Sequence, residues 1–326
     1  MKTGKISESV LKRSVLKRIK TKRPEVVAGP AIGGDFAAFD IEPEERIVIS
    51  TNGLPDIPDL PPWYGIMSAV GSLVTSGARP IGVMVGGYLP EDMEEATLKA
   101  LTDDIEKACS VLGIQALGGH TQVSAAVSKP VLTVTAAGAV EKKKMLTSAG
   151  ARPGQDILVT KWIAMGGTAI LANAKEMEIA KKYKQDLIND AKYMKELMSV
   201  IPEAAVAVKS GATAIHDISQ GGIYNALWEM AGASGVGLTI DIKKIPLRQE
   251  TVEICEIFEI NPYRLFSGGS LLIACNDGEK MAEELIDKNI NAVVIGRFTD
   301  SNDRIITNEE EITYLDSPKP DEILRI

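Results

Sequence analysis

Twice along this chain a short apolar run leads into a pair of glycines with a histidine close by. Residues 114–117 run into Gly118-Gly119-His120-Thr121, and residues 214–218, which carry His216 and Asp217, run into Ser219-Gln220-Gly221-Gly222. Each run reads as a strand that ends at a glycine turn, and after the second turn residues 223–233 continue as a helix. Glycine permits the turn and the close backbone approach, and strands handed to helices in this way belong to layered α/β architecture. His120 and His216 are the only histidines. Each is read either as a hydrogen-bonded structural residue or as a substrate contact doing general acid–base work. At 326 residues the chain is longer than one hydrophobic core usually serves, so the two halves are read as two domains.

The periodicity fills in the halves. Val10, Leu11, Val15 and Ile19 lie on one side of an amphipathic helix from Ser7 onward, with lysines and arginines between them. That basic side is either a solvated face or a lid whose cations meet phosphates. A strand follows at 46–51, and four prolines in the ten residues after Gly53 exclude helix there. Helices are expected from Trp63 to Gly77 and over 91–112, with strands at 81–85 and 131–140. A polar turn ending Ala151-Arg152-Pro153-Gly154 places the boundary near residue 150, giving domains 1–150 and 151–326. The second domain is expected to hold strands at 156–160, 214–218, 238–242, 270–274 and 292–295. Its helices are expected to open at Gly166-Gly167, to run densely charged from 174 to 198, and to resume at Pro202, 223–233 and 278–288.

Charge and cysteine usage narrow the function class. Residues 1–23 carry nine Lys or Arg against Glu8 alone, a local balance of +8 that leaves −16 for the rest of a chain whose net charge is −8. An acidic body argues against nucleic acid as the main partner. No apolar run reaches 18 residues, so no membrane partner is expected, and no signal-peptide core precedes the basic helix. Cys109, Cys255 and Cys275 are odd in number and far apart, which fits a reducing cytoplasm and buried structural thiols.

A third glycine-rich stretch, residues 29–40 (GPAIGGDFAAFD), precedes the strand at 46–51. Bare N–H groups at Gly33 and Gly34 beside the carboxylate of Asp35 suit a phosphate and a cation together, and they suit an ordinary turn equally. Taken with Gly77-Ala78-Arg79-Pro80, Gly118-Gly119-His120-Thr121 and the stretch HDISQGGIYNALWEMAGASGVGL from His216, the loop makes an ordered series spanning nearly the whole chain. In that order and spacing the series resembles the superfamily of aminoimidazole ribonucleotide (AIR) synthetase, selenophosphate synthetase, thiamine-monophosphate kinase and the hydrogenase-maturation dehydratase, and most of all the last group.

The resemblance implies an α+β fold of two AIR synthase-like domains, with N-terminal sheets paired into a barrel in a homodimer. It implies ATP and Mg2+ as cofactors. ATP would phosphorylate an amide, carbonyl or phosphate oxygen of an unknown small-molecule or protein acceptor, turning a poor leaving group into a good one. By correspondence with the family motifs, Gly33, Gly34, Asp35, Asn52, Gly118, Gly119, Thr121, Gly221 and Gly222 would contact the nucleotide. His120, His216 and Asp217 would be catalytic, and Asp35, Asn52 and Ser72 would surround the metal. Asn52 and Ser72 stand where the family has aspartates, and His120 where many members have another. Mg2+ prefers carboxylate oxygen, so two lost charges predict a weakened metal site and weak hydrolysis. Asp56 and Asp59, on the proline-rich loop, are read either as exposed loop acids or as substitutes for the missing carboxylates. The residues ending Arg325-Ile326 carry no cysteine of the kind the dehydratase converts to a nitrile, so that reaction is not expected. A catalytically reduced binding or scaffold protein and a small-molecule kinase are the alternatives.

Overall fold

The computed structural model describes residues 4–32, 36–53 and 60–326; the predicted site residues Gly33, Gly34 and Asp35, and also Asp56 and Asp59, lie outside the described residues. The chain divides into two compact units, one of Met1–Val74 with Ala78–Met145, the other of Thr75–Gly77 with Leu146–Ile326.

The first unit runs β1 (Gly4–Lys5), α1 (Glu8–Leu11), β2 (Val26–Ala28), β3 (Ala38–Phe39), β4 (Glu45–Gly53), α2 (Pro62–Val74), β5 (Arg79–Leu89), α3 (Glu95–Leu112), β6 (Gln115–Val123) and β7 (Val131–Glu141). Five strands form one sheet in the order β1-β6-β5-β7-β4, in which only β5 and β6 are parallel. Helix α2 is buried nearly all round, with Trp63, Ile66, Val70 and Leu73 closed off between the sheet and α3. Across the other face Ile47, Ile49, Met84, Tyr88 and Val131 stay exposed, and Thr51 and Thr135 join hydroxyls at 3.0 Å. A sheet covered on one side only normally alternates apolar with polar residues, so this second apolar face is unusual for a lone unit.

The basic helix near the start is shorter than expected. After α1 the chain turns through a π-type stretch, Lys12–Leu16. Val10, Leu11 and Val15 pack on Leu89, Met93, Leu98 and Val123. Arg13 grips Glu95 with two nitrogens and Arg18 bonds Asp103, both on α3, while Lys12, Lys17, Lys20 and Lys22 face solvent. Two of the cations read as a possible phosphate lid are thus spent on α3.

The second unit runs β8 (Asp156–Thr160), α4 (Met165–Ala174), α5 (Glu176–Ile179), α6 (Gln185–Tyr193), α7 (Ile201–Lys209), β9 (Ala214–Ile218), α8 (Gly222–Ser234), β10 (Gly237–Asp241), α9 (Gln249–Phe258), β11 (Ser270–Cys275), α10 (Gly278–Ile286), β12 (Ala292–Thr299), β13 (Arg304–Asn308) and β14 (Glu311–Tyr314). Its sheet has the order β14-β13-β10-β12-β8-β11-β9. Strands β8 and β11 are buried at every position, as strands covered on both faces are. Helix α8 lays Ile223, Leu227 and Met230 on Ile157, Val159 and Leu272. The cysteines are free and buried, and burial pushes the Cys109 and Cys255 thiols up to about 12 and Cys275 to about 11.

Two expectations fail for physical reasons. The charged stretch from 174 to 198 is not one helix: it breaks into α5, α6 and a 3-10 turn, because Ile188, Ala191 and Met194 must reach the core from a bent path. Nor does the strand after α3 stop at Gly118. It runs on to Val123, and Gly119 pairs with Val85 so closely that a Cβ would lie 1.9 Å from the Val85 carbonyl oxygen. The glycine pair there serves strand pairing rather than a turn.

Candidate functional site

The glycine-rich stretch is mounted on a small ribbon. Strands β2 and β3 pair Val26 with Phe39 and Ala28 with Ala38, so residues 29–37 connect two paired strands. Its base is fixed by Gln115, buried at the start of β6, whose Oε1 accepts from the Arg23 N–H at 2.7 Å. A Cβ on Gly29 would stand 2.9 Å from Gln115 Nε2, so this glycine lets the ribbon lie against that amide. Glu25 takes both Arg23 nitrogens, at 3.1 and 2.7 Å, and also Arg79 of the Gly-Ala-Arg-Pro turn. The Arg23 hydrogen bonds are the main reason its carboxyl is held down at about 2. Nothing in the sequence marks Gln115, Glu25 or Arg79 as a set, since they come from three distant elements.

Asn52 and Ser72, twenty residues apart in sequence, do come together. Asn52 at the end of β4 donates from Nδ2 to Ser72 Oγ on α2 at 3.2 Å. One turn earlier on the same helix, Ser68 has its hydroxyl oxygen buried without a partner among the described residues. The pair is neutral, and among the described residues no three His, Cys, Asp or Glu side chains are grouped to hold a metal ion.

His120 is not part of this pair. The registers align Asn52 with Val134, Val85 and Gly119, and align His120 with Gly86, Thr133 and Gly53. Successive rows face opposite sides of a sheet. Gly119 and Thr121 therefore share the Asn52 side, whereas Gly118 and His120 belong to the exposed face. There His120 Nε2 lies 3.1 Å from Gln122 Oε1 and the ring meets Tyr88 edge-on, with centroids 6.5 Å apart.

In the second unit His216 is held at both ring nitrogens, by Ser148 Oγ at 3.1 Å on Nδ1 and by Glu229 Oε2 at 2.9 Å on Nε2. Burial works against the charged ring, but the Glu229 hydrogen bond and the charges of Asp217 and Glu229 together outweigh it and raise the pKa above 6.5. The imidazolium so favoured ties α8 to the 3-10 turn at Ser148–Gly150. Since the folded value exceeds the unfolded one, this stabilisation is fully present below pH 6.5 and is lost as pH rises through the raised folded value. Urea midpoints are expected to fall between pH 6 and pH 9 in the wild type, with the decline flattened in His216→Gln; parallel declines in both proteins would disprove the linkage. Ser148 carried no signal in the sequence, and Glu229 gave only the position of a helical acid.

The Gly221-Gly222 turn is left-handed at both residues, with φ of 76° and 66°. A Cβ on Gly222 would come within 2.5 Å of the Tyr263 carbonyl oxygen. The Gly221 N–H is already bonded to Asp321 Oδ2 at 2.7 Å, so neither glycine presents a bare cradle here. Asp217 neighbours His216 on β9, at the edge of the sheet.

Two α+β units, one with a glycine ribbon over a five-stranded sheet and one with a glycine turn at the head of a buried helix, define an AIR synthase-like protein. Residues 33–140 match the N-terminal domain family of AIR synthase related proteins and residues 152–308 match the C-terminal domain family. The chain belongs to the AIR synthase related family. It is 25% identical to a Methanocaldococcus jannaschii chain described as a hydrogenase expression/formation protein, over 93% of this chain and 90% of that one. It is 26% identical to the carbamoyl dehydratase HypE of Cupriavidus necator, over 74% and 69%. The crystal structure of the hydrogenase maturation protein HypE in complex with ATP superimposes with a TM-score of 0.76 at 18% identity, covering 97% of this chain and 96% of that one, which shows the shared fold. Among the described residues no helix is long and apolar enough to cross a membrane.

Proposed function

We propose that this protein binds ATP through its first unit, using Gly33, Gly34, Asp35 and Asn52, and that it activates an oxygen of an acceptor only slowly. The observation that carries the reading is the contact between Asn52 and Ser72. Side chains twenty residues apart meet where the family resemblance calls for two carboxylates, which supports a site that has two fewer charges than the family pattern. The likeness to HypE, both in sequence and in an ATP-bound structure, supports ATP as the nucleotide and hydrogenase or metallo-enzyme maturation as the setting.

The described residues do not fit Mg2+. A hard divalent cation prefers carboxylate oxygen, and the Asn52 amide turns a donor toward the Ser72 hydroxyl. What this chain supplies is positioning: backbone N–H groups of the ribbon for phosphate, and Thr121 and Asn52 as neutral hydrogen-bonding groups on the same side of the sheet. In the transfer the γ-phosphoryl group passes from ATP to the acceptor oxygen and ADP leaves. With little to neutralise the charge on the phosphoryl oxygens, the step is expected to be slow. The exposed face bearing Ile47, Ile49, Met84 and Tyr88 fits pairing with a second copy, and His120 would then lie at the seam.

Titration calorimetry with ATP tests the reading. Binding is expected both in excess EDTA and in Mg2+, with affinities within about threefold of each other, since no strong metal site links the two. Absence of heat in both conditions would remove the nucleotide from the proposal. Light scattering on the same samples is expected to give the mass of two chains, and the mass of one would contradict the pairing.

A further inference from the structure

The exposed face of the first sheet carries a single histidine. His120 stands on it from β6, in a row that continues through Gly86 and Thr133 to Gly53. The rows on either side bring Met84, and then Tyr88 with Gln122. Among the described residues these three rows hold no Asp, Glu, Lys or Arg except Lys5, which pairs with Gln122 from the edge strand β1. Tyr88 is the other titratable side chain beside the ring. Arg79, Glu45 and Glu141 come only at the opposite end of the sheet, where Arg79 is bonded to Glu25 and Glu45, and Glu141 to Lys144.

The contacts of the ring suit its neutral form. Nε2 lies 3.1 Å from Gln122 Oε1, and among the described residues Nδ1 has no hydrogen-bond partner. A neutral ring that donates from Nε2 to the amide oxygen leaves Nδ1 without a proton, whereas a charged ring carries a second N–H there. In a single copy His120 is exposed, and water takes that second N–H. A second copy laid on Ile47, Ile49, Met84, Tyr88 and Val131, which are between 39% and 64% exposed, removes that water. In return it offers a like face, with another histidine and no carboxylate in the matching rows. A charge buried without a partner loses its hydration and gains nothing for it. Histidine is the side chain whose charge changes between about pH 8 and pH 5.

We propose that His120 makes the pairing of two copies depend on pH: the copies join through this face while the imidazole is neutral and part when it takes up a proton. This regulation rests on the pairing of two copies proposed above. Pairing favours the ring without its extra proton, so it is strongest in mild base and is lost as pH falls. Sedimentation equilibrium on the full chain, at about pH 8 and about pH 5.5 and equal ionic strength, measures the dissociation constant of the pair. In the wild type that constant is expected to rise about tenfold or more on acidification, since each copy takes up a proton as the pair parts. His120→Gln, which stays neutral and polar, is expected to pair at both pH values with constants within about threefold of each other. His216, the only other histidine, belongs to the second unit, and His216→Gln is expected to keep the full rise. Wild-type constants that agree within about threefold, or a rise that persists in His120→Gln, would overturn the proposal while leaving the pairing in place. A chain that sediments as a single copy at both pH values would remove the pairing itself, and its regulation with it. Should His120→Gln fold poorly, His120→Lys gives a second readout: it is expected to stay single at about pH 8, and pairing as tight as the wild type's would show that the seam accepts a charge and contradict the proposal.

Discussion

Lys161→Met is expected to destabilise the second unit by about 3–5 kcal/mol, the cost of leaving a buried charge without its partner. Lys161 follows the last residue of β8 and is almost wholly buried. Its Nζ lies 2.6 Å from Glu203 Oε1 and donates to the carbonyls of Leu197 and Ser199 at 2.7 and 2.6 Å. Burial lowers its pKa, while the charge and hydrogen bond of Glu203 oppose that shift. Glu203 is 3% exposed and its Oε2 has no partner among the described residues, so removing the ammonium strands a buried carboxylate. The backbone at Lys161 is left-handed as well, with φ of 53°, which only the surrounding bonds sustain. Denaturant midpoints measure the loss. The double change Lys161→Met with Glu203→Leu is expected to recover much of it, because an apolar pair of similar volume leaves no charge behind. A single variant within about 1 kcal/mol of the wild type would show that the pair is dispensable, since ordinary exposed pairs are worth no more than that.

The strands of the second unit were legible because they are local. Residues 156–160, 214–218 and 270–274 are compact apolar runs bounded by turn residues, and the structure places strands on all three. Helix α9 and the β13–β14 pair were not foreseen: their signals are short and partly polar, and β14 is exposed at every position. The order of the strands was beyond local reading too, since β8 sits between β12 and β11 through contacts more than a hundred residues away. The glycine pairs misled in opposite ways. Gly118-Gly119 looked like a turn and is strand, because close approach to Val85 needs the same absent Cβ as a turn does. Gly221-Gly222 is a left-handed turn, as its composition suggested, but the group on its N–H is Asp321, a hundred residues downstream. The meeting of Asn52 and Ser72 followed only from a family pattern, for an amide and a hydroxyl on separate elements carry no sign of each other.

That meeting also sets the second large expectation. Asn52→Asp together with Ser72→Asp puts two carboxylates about one hydrogen bond apart. Without a cation they repel, so the double variant in EDTA is expected to be less stable than the wild type, and Mg2+ is expected to restore it by binding only the folded form. Hydrolysis of ATP is expected to rise at least about tenfold, because a bound divalent ion neutralises the charge of the transferring phosphoryl group. Each single variant supplies one carboxylate and should fall well short of the pair.

The decisive measurement is the Mg2+ dependence of ATP affinity in the wild type beside Asn52→Asp/Ser72→Asp, by calorimetry on matched samples. A neutralised metal site predicts a wild-type affinity that changes by less than about threefold on adding Mg2+, against a gain on the order of tenfold or more in the double variant. A wild type that already needs Mg2+ to bind ATP, as steeply as the double variant does, would contradict it.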